Sequence, residues 1–304
     1  LSKLVKSSLA FIKIKFDPFF EGIDFRLLLF DEIIRENCSS YLCSQIHDYK
    51  CWKEFFKKSK GKLIYPYENQ PWEKMMILAR EHVQGSVELI GYQHSAIGKI
   101  HLSYHTTQNE LRTLPVPNVL IVNSDKNKEI IKKYYENNSK LKICNGGALR
   151  YSQTISIEKS NHRSKRIGIL LPTNKNQAYH LLGNLNKMSG LQFNVLVKPH
   201  PDLSLDSGDI GKAYCLFNGS AVDLYKVVDG IVYCSSTCGM EAYQYGLPVF
   251  RFSGQFIDLK VGEYSFSPNV IYSLDEISDS DLVPHKPVQL FSAVDEKVWL
   301  DILN

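Results

Sequence analysis

The chain is punctuated by short runs of consecutive apolar residues, each followed by a longer amphipathic stretch. "KLIYPY" (Lys62 to Tyr67), "VELIGY" (Val87 to Tyr92) and "NVLIVNS" (Asn118 to Ser124) are such runs in the first half. "RIGILLP" (Arg166 to Pro172), "QFNVLVKPH" (Gln192 to His200), "GIVYCSS" (Gly230 to Ser236) and "PVFRF" (Pro248 to Phe252) follow in the second. A run that is apolar throughout, instead of at every other position, belongs to a strand covered on both faces, which is the state of strands in parallel sheets. Helices are predicted between them at Trp72 to Val83, from Asp125 onward, and at Asn176 to Met188, Ala221 to Val228 and Gly239 to Gly246. The class is therefore α/β, with βα units in both halves. The polar, Ser-rich, basic stretch Ser152 to Arg166 reads as a linker. It divides the chain into residues 1–155 and 156–304, two Rossmann-like domains with a cleft between them. In such sheets ligands bind beyond the carboxyl ends of the strands.

Composition narrows the function classes. Of 304 residues 44% are hydrophobic and 22% charged, which excludes disorder as the main state. No apolar run reaches the roughly 18 residues that mark a membrane-spanning helix. The net charge of +4 is too small to indicate nucleic acid. The seven cysteines, Cys38, Cys43, Cys51, Cys144, Cys215, Cys234 and Cys238, form no CxxC pair. That argues against a disulfide scaffold and a zinc site and for a reducing, cytoplasmic setting. No carboxylate cluster calls for a metal. The start at Leu1 reads as a position inside a longer chain, and the lysines that interrupt its apolar stretch do not fit a signal peptide. "YKCWKEFFKKSKGK" (Tyr49 to Lys62) is basic and aromatic. It suits peripheral contact with the inner face of a membrane, or else a solvated helix face with its aromatic rings in the core.

Polar chemistry gathers at four strand ends. Lys198, Pro199, His200, Pro201 and Asp202 close one strand, and the prolines suit the first turn of a helix whose N-terminus would face an anion. Ser235, Ser236 and Thr237 close another, before a helix opened by Gly239 and carrying Glu241. Hydroxyls and free N–H groups there form an anion cradle, or simply an N-cap. Glu68 follows a third strand and is placed to act as a general base, while Glu73 reads as helix capping. His94 and Ser95 follow the fourth. Gly146, Gly147 and Arg150 close the first half, with Arg150 either facing an anionic group or lying on the surface. Cys234 and Cys238 have no histidine at a spacing that would make either a nucleophile.

"KPHP" (Lys198 to Pro201) followed by "SSTCGMEAYQYGLPV" (Ser235 to Val249) resembles a motif pair of bacterial glycosyltransferases that use CMP-activated sugars. These are the Kdo transferases of lipopolysaccharide and capsule synthesis and the bacterial sialyltransferases. "YENQPWE" and "GYQHS" are similar to segments of surface-carbohydrate biosynthesis proteins. The resemblance implies the GT-B fold, with residues 1–155 serving the acceptor and 156–304 the donor. It implies transfer of Kdo or a sialic, pseudaminic or legionaminic acid from a CMP-sugar to a glycan or lipid-linked acceptor. His200 and Pro201 would meet the nucleotide, and Ser235, Ser236 and Thr237 its phosphate. Glu241 would meet the ribose, and Lys198 with His200 would stabilise charge on the leaving CMP. His94, Ser95 or Arg150 would meet the acceptor or the sugar carboxylate. No cofactor or metal is implied. The family's acidic-acidic-Gly triplet is not matched, since Asp31 and Glu32 lack the glycine, so Glu68 is the assigned base. CDP-polyol phosphotransferases of teichoic-acid synthesis share a Lys-x-His-Pro stretch and a Ser-Ser loop. A nucleotide-sugar epimerase, or a binding module without turnover, would also fit the fold.

Overall fold

The computed structural model describes isolated positions before residue 40, then 40–135, 138–150, 164–187, 192–203, 214–254 and 260–304. Most of the predicted linker, and Glu32 of the acidic pair, lie outside the described residues. The chain forms two compact units. The larger comprises Ile64–Glu68, Ile90–Thr113 and Pro117–Asn304, and the smaller the residues before Ile64 with Asn69–Leu89 and Leu114–Val116.

In the smaller unit, helix α1 (Ser40–Lys58) packs on helix α2 (Pro71–His82), with Tyr49 Oη 2.8 Å from His82 Nδ1. Phe56 is 2% exposed and stacks on Trp52, while Phe55 is exposed among the terminal lysines. Glu73 is buried in the first turn of α2 and accepts the Asn69 N–H at 3.1 Å, which is the capping role expected of it. That bond holds Asn69 at φ +59°.

A first sheet runs in the order β1 (Gly61–Pro66), β2 (Val87–Gln93), β3 (Val119–Val122), β4 (Lys142–Asn145), with the β2–β3 and β3–β4 pairs parallel. Helix α3 (Gln108–Leu111) lies in the β2–β3 connection, and helix α4 (Asp125–Tyr135) connects β3 to β4. Side chains alternate across a strand. Ile90 and Tyr92, Val119 and Ile121, and Cys144 therefore share one face. That face is covered by the C-terminal helix α8 (Glu296–Leu303) through Val298, Trp299 and Ile302. Trp299 Nε1 donates to the Gly146 carbonyl at 2.8 Å. Gly147, at φ +78°, has the Ala293 carbonyl where a Cβ would stand. The chain end thus packs on the first sheet although it follows the second in sequence.

The second sheet comprises β5 (Arg166–Leu170), β6 (Asn194–Lys198), β7 (Tyr214–Leu216), β8 (Gly230–Tyr233), β9 (Val249–Phe252) and β10 (Asn269–Ile271). Every neighbouring pair is parallel. In space the order is β7-β6-β5-β8-β9-β10, the doubly wound order in which the strand sequence reverses between the first and fourth strands. Helices α5 (Lys175–Asn186), α6 (Ala221–Val227) and α7 (Thr237–Gln244) supply crossovers. Ile167, Ile169, Val195, Val197, Val232 and Phe250 build one core with Leu181, Leu182 and Leu185 of α5. The central strands β5, β8 and β9 are buried on both faces, which accounts for their continuous runs in the sequence. The protein is α/β with two largely parallel sheets, as predicted.

Candidate functional site

The switch between β5 and β8 fixes where strand ends come together. Leu170 stands in register with Tyr233 on one side and with Lys198 on the other. The segments that follow, Leu171–Asn174, Cys234–Thr237 and Pro199–Asp202, therefore emerge level with one another.

After β8, Ser236 is the N-cap of α7. Its side chain accepts the Cys238 N–H at 3.2 Å, so the helix begins at Thr237, two residues before the predicted opening at Gly239. Ser236 supplies the capping oxygen that a glycine lacks. Gly239 lies inside the helix because any Cβ there would press into the Tyr233 ring. Ser235 Oγ is buried and has no hydrogen-bond partner among the described residues. Glu241 is 7% exposed and its Oε2 is 3.1 Å from the Tyr225 hydroxyl of α6. Burial raises its pKa, against the hydrogen bond from Tyr225 and the positive charge of Arg150. Arg150 is exposed, and its charge also acts on Cys238. Burial pushes the Cys234 thiol up to about 12 and raises that of Cys238, so neither is a thiolate at neutral pH.

The end of β6 differs from the prediction. Residues 199–203 form a turn closed by Leu203 N donating to His200 O at 2.9 Å, not a helix start. The reason is local: the Asp202 N–H, which a helix would leave free, donates to His200 Nδ1 at 3.2 Å. Pro201, between them, is exposed. His200 Nδ1 also lies 3.5 Å from Asp202 Oδ2. Lys198 Nζ donates to the Gly219 carbonyl at 2.7 Å and so ties β6 to the loop before α6.

The first sheet sends its own strand ends to α7. Ala96 N–H donates to Thr237 Oγ1 at 3.3 Å. Ala96, Ala148, Met240, Val261 and Phe291 close an apolar cluster around this contact. The His94–Ser95 segment is held by amides that no pattern in the sequence singles out. Asn123 Nδ2 donates to His94 O at 3.3 Å and to Ser95 O at 3.4 Å, and Gln93 Nε2 also donates to Ser95 O. Asn127 Nδ2 bonds Asn123 Oδ1 at 2.7 Å and Gln93 Oε1 at 3.2 Å. All three amides are at least 95% buried. Ser95 Oγ, like Ser235 Oγ, is buried with no partner among the described residues. Glu68 Oε1 lies 3.5 Å from His94 Nε2. Thus Glu68 meets His94, Ser95 stands beside the residue that meets Thr237, and Arg150 acts on Glu241. Thr173 and Asn174, both exposed at the end of β5, belong to the same ring of strand ends, although they are not among the predicted site residues. Asn174 caps α5 by accepting from Gln177 N at 3.2 Å. Among the described residues no three His, Cys, Asp or Glu side chains are grouped to hold a metal ion.

No protein-family model matches the chain, and no curated protein sequence does either. Among solved structures, a UDP-N-acetylglucosamine 2-epimerase is 13% identical over 84% of this chain and 76% of that chain, with a TM-score of 0.40. The S. aureus MnaA–UDP co-structure is 8% identical over 69% of this chain and 62% of that chain, at 0.45. The present chain therefore spans less than two thirds of the S. aureus protein. Thermosulfurimonas dismutans KpsC, a β-Kdo 2,7 transferase, is 14% identical over 74% and 89% of the two chains, at 0.33. With each of these scores below 0.5, none of the likenesses decides the fold or the activity.

Proposed function

We propose that the chain is a GT-B glycosyltransferase that moves Kdo or a sialic, pseudaminic or legionaminic acid from a CMP-sugar to a surface-glycan or lipid-linked acceptor. The observation that carries the reading is the pair of buried hydroxyls, Ser95 Oγ and Ser235 Oγ, at the α7 start. Buried polar atoms without partners are rare, and here they flank the Ala96–Thr237 bond that joins the two sheets. Donors fixed at a helix start stabilise charge developing on a leaving phosphate, with no reorganisation at the moment of reaction.

In this reading Ser235, Ser236 and Thr237 hold the donor phosphate, and His200, Lys198 and Pro201 meet the nucleotide. Glu241 and Arg150 line the sugar side, Arg150 as the partner of the sugar carboxylate. The Glu68–His94 pair removes the acceptor proton. The reaction needs no metal and no cofactor. The protein acts in the cytoplasm, reaching lipid-linked acceptors at the membrane face. Among the described residues no helix is long and apolar enough to cross a membrane.

The test is incubation with each CMP-sugar and candidate acceptors, followed by product mass and released nucleotide. The expected product gains one acidic sugar and CMP is released. A product that instead gains a polyol phosphate from a CDP-polyol would favour the phosphotransferase. Turnover of a UDP-sugar without acceptor would favour an epimerase.

A further inference from the structure

Glu68 and His94 come from different strand ends, and only the pairing of β1 with β2 brings them together. Their side chains are 38% and 46% exposed, so a substrate hydroxyl can reach them. The His94 main chain is held by Asn123, and the next residue but one is held by Thr237. The His94 backbone is therefore anchored two residues before the bond to the α7 start. Its Nε2 faces the Glu68 carboxylate at 3.5 Å, while Nδ1 has no hydrogen-bond partner among the described residues. At that separation the pair is a charge contact, and an imidazole that carries its proton on the nitrogen beside the carboxylate presents the Nδ1 lone pair outward.

We infer that His94 is the group that takes the acceptor proton, and that Glu68 is a positioning residue that fixes its tautomer and stabilises the imidazolium. The inference rests on the glycosyl-transfer reading and specifies its base. The acceptor hydroxyl proton passes to Nδ1, and the freed oxygen pair forms the bond to the anomeric carbon. The bond from that carbon to the donor phosphate oxygen breaks, and its electron pair leaves on CMP. The order carboxylate, imidazole, hydroxyl is that of other activated nucleophiles. Among the described residues Glu68 is the charged group facing His94. His101, on which the Glu68 charge also acts, has its pKa lowered by burial and so is neutral at pH 7.

The experiment is a set of pH–rate profiles for CMP release by wild type, His94→Gln and Glu68→Gln, with melting temperatures as a folding control. His94→Gln is expected to lose roughly 10²–10⁴-fold in kcat across the pH range, with little change in donor KM. Glu68→Gln is expected to lose less, because the imidazole keeps its proton-accepting nitrogen and loses only the group that orients it. A Glu68→Gln enzyme dead at every pH beside a His94→Gln enzyme with a wild-type profile would overturn the inference. NMR of the ring nitrogens reads the pair without turnover. It should show the Nε2–H tautomer in wild type and a mixture of tautomers in Glu68→Gln. An Nδ1–H tautomer in wild type, or the same tautomer balance in both proteins, would overturn it. A wild type with both NMR signatures and no turnover of any CMP-sugar would defeat the proposed function and leave the pair standing.

Discussion

The ends of β8 and β6 stand level in one sheet and both carry polar side chains, yet they are in different states. After β6, Lys198 is spent on the Gly219 carbonyl and His200 Nδ1 on the Asp202 N–H. The protein already uses these groups to shape a turn. After β8, Ser236 is spent as the cap, but its neighbour Ser235 is buried with nothing to bond among the described residues. A motif of polar residues at a strand end therefore says little by itself. A buried polar atom that the fold leaves unsatisfied is the stronger mark of a binding position.

Four sets of substitutions press on that contrast. The largest effect is expected from Gly239→Ala, because α7 lies so close to β8 that the new methyl meets the Tyr233 ring. Overpacking of this kind costs typically about 1–3 kcal/mol, and a displaced α7 would lose its ligand geometry as well. Denaturant unfolding together with nucleotide binding would register both, and unchanged stability would show that the helix can move away without cost.

Next comes the pair Ser236→Ala and Ser235→Ala. Losing the cap should cost about 1 kcal/mol. Ser235→Ala should leave stability unchanged or slightly raised, since it removes a buried hydroxyl that lacks a partner. Equal losses at the two serines would erase the distinction between them.

Lys198→Met should lower stability by a similar or smaller amount, about 0.5–1.5 kcal/mol, as the bond to Gly219 O disappears. If stability is unchanged while nucleotide binding collapses, the β6 end is the more functional of the two and the comparison reverses.

The smallest effect is pH-dependent. Glu241 has a raised pKa, caused first by burial. A carboxyl with its folded pKa above the unfolded value favours folding while protonated. That contribution is complete below the unfolded pKa and is lost as pH rises through the folded one. Glu241→Gln, which is neutral at every pH, should therefore melt slightly higher than wild type at pH 7, with the gain vanishing in acid. A gain that grows toward low pH would contradict the assigned direction.

The α/β class and the β8–α7–β9 unit are legible in the sequence because their apolar runs are continuous and because Gly246-Leu247-Pro248 marks the return to a strand. Strands β4, β7 and β10 are not. They are short, and Lys142, Cys215 and Asn269 are exposed, so no apolar run announces them. Helix α8 is hidden for another reason: its apolar residues serve the first sheet, and Trp299 reaches Gly146 across 153 positions of sequence. The start of α7 falls two residues before its predicted place because Ser236, not Gly239, caps it. The candidate site residues can be found singly. Their pairing depends on strand order, which local pattern does not encode. The buried amides Gln93 and Asn123 look like ordinary polar residues until the fold turns them toward the His94–Ser95 carbonyls, with Asn127 bonded to both.

The end of β8 as the seat of a cytidine nucleotide phosphate is the central claim. Titration calorimetry with CMP, UDP and GDP on the wild type, and with CMP on Ser235→Ala and His200→Ala, tests it directly. CMP should bind in preference to UDP and GDP. Ser235→Ala should weaken CMP by about tenfold, or about 1.4 kcal/mol, and by more than His200→Ala does. Binding of UDP or GDP in place of CMP, or a Ser235→Ala protein with wild-type CMP affinity, would contradict it.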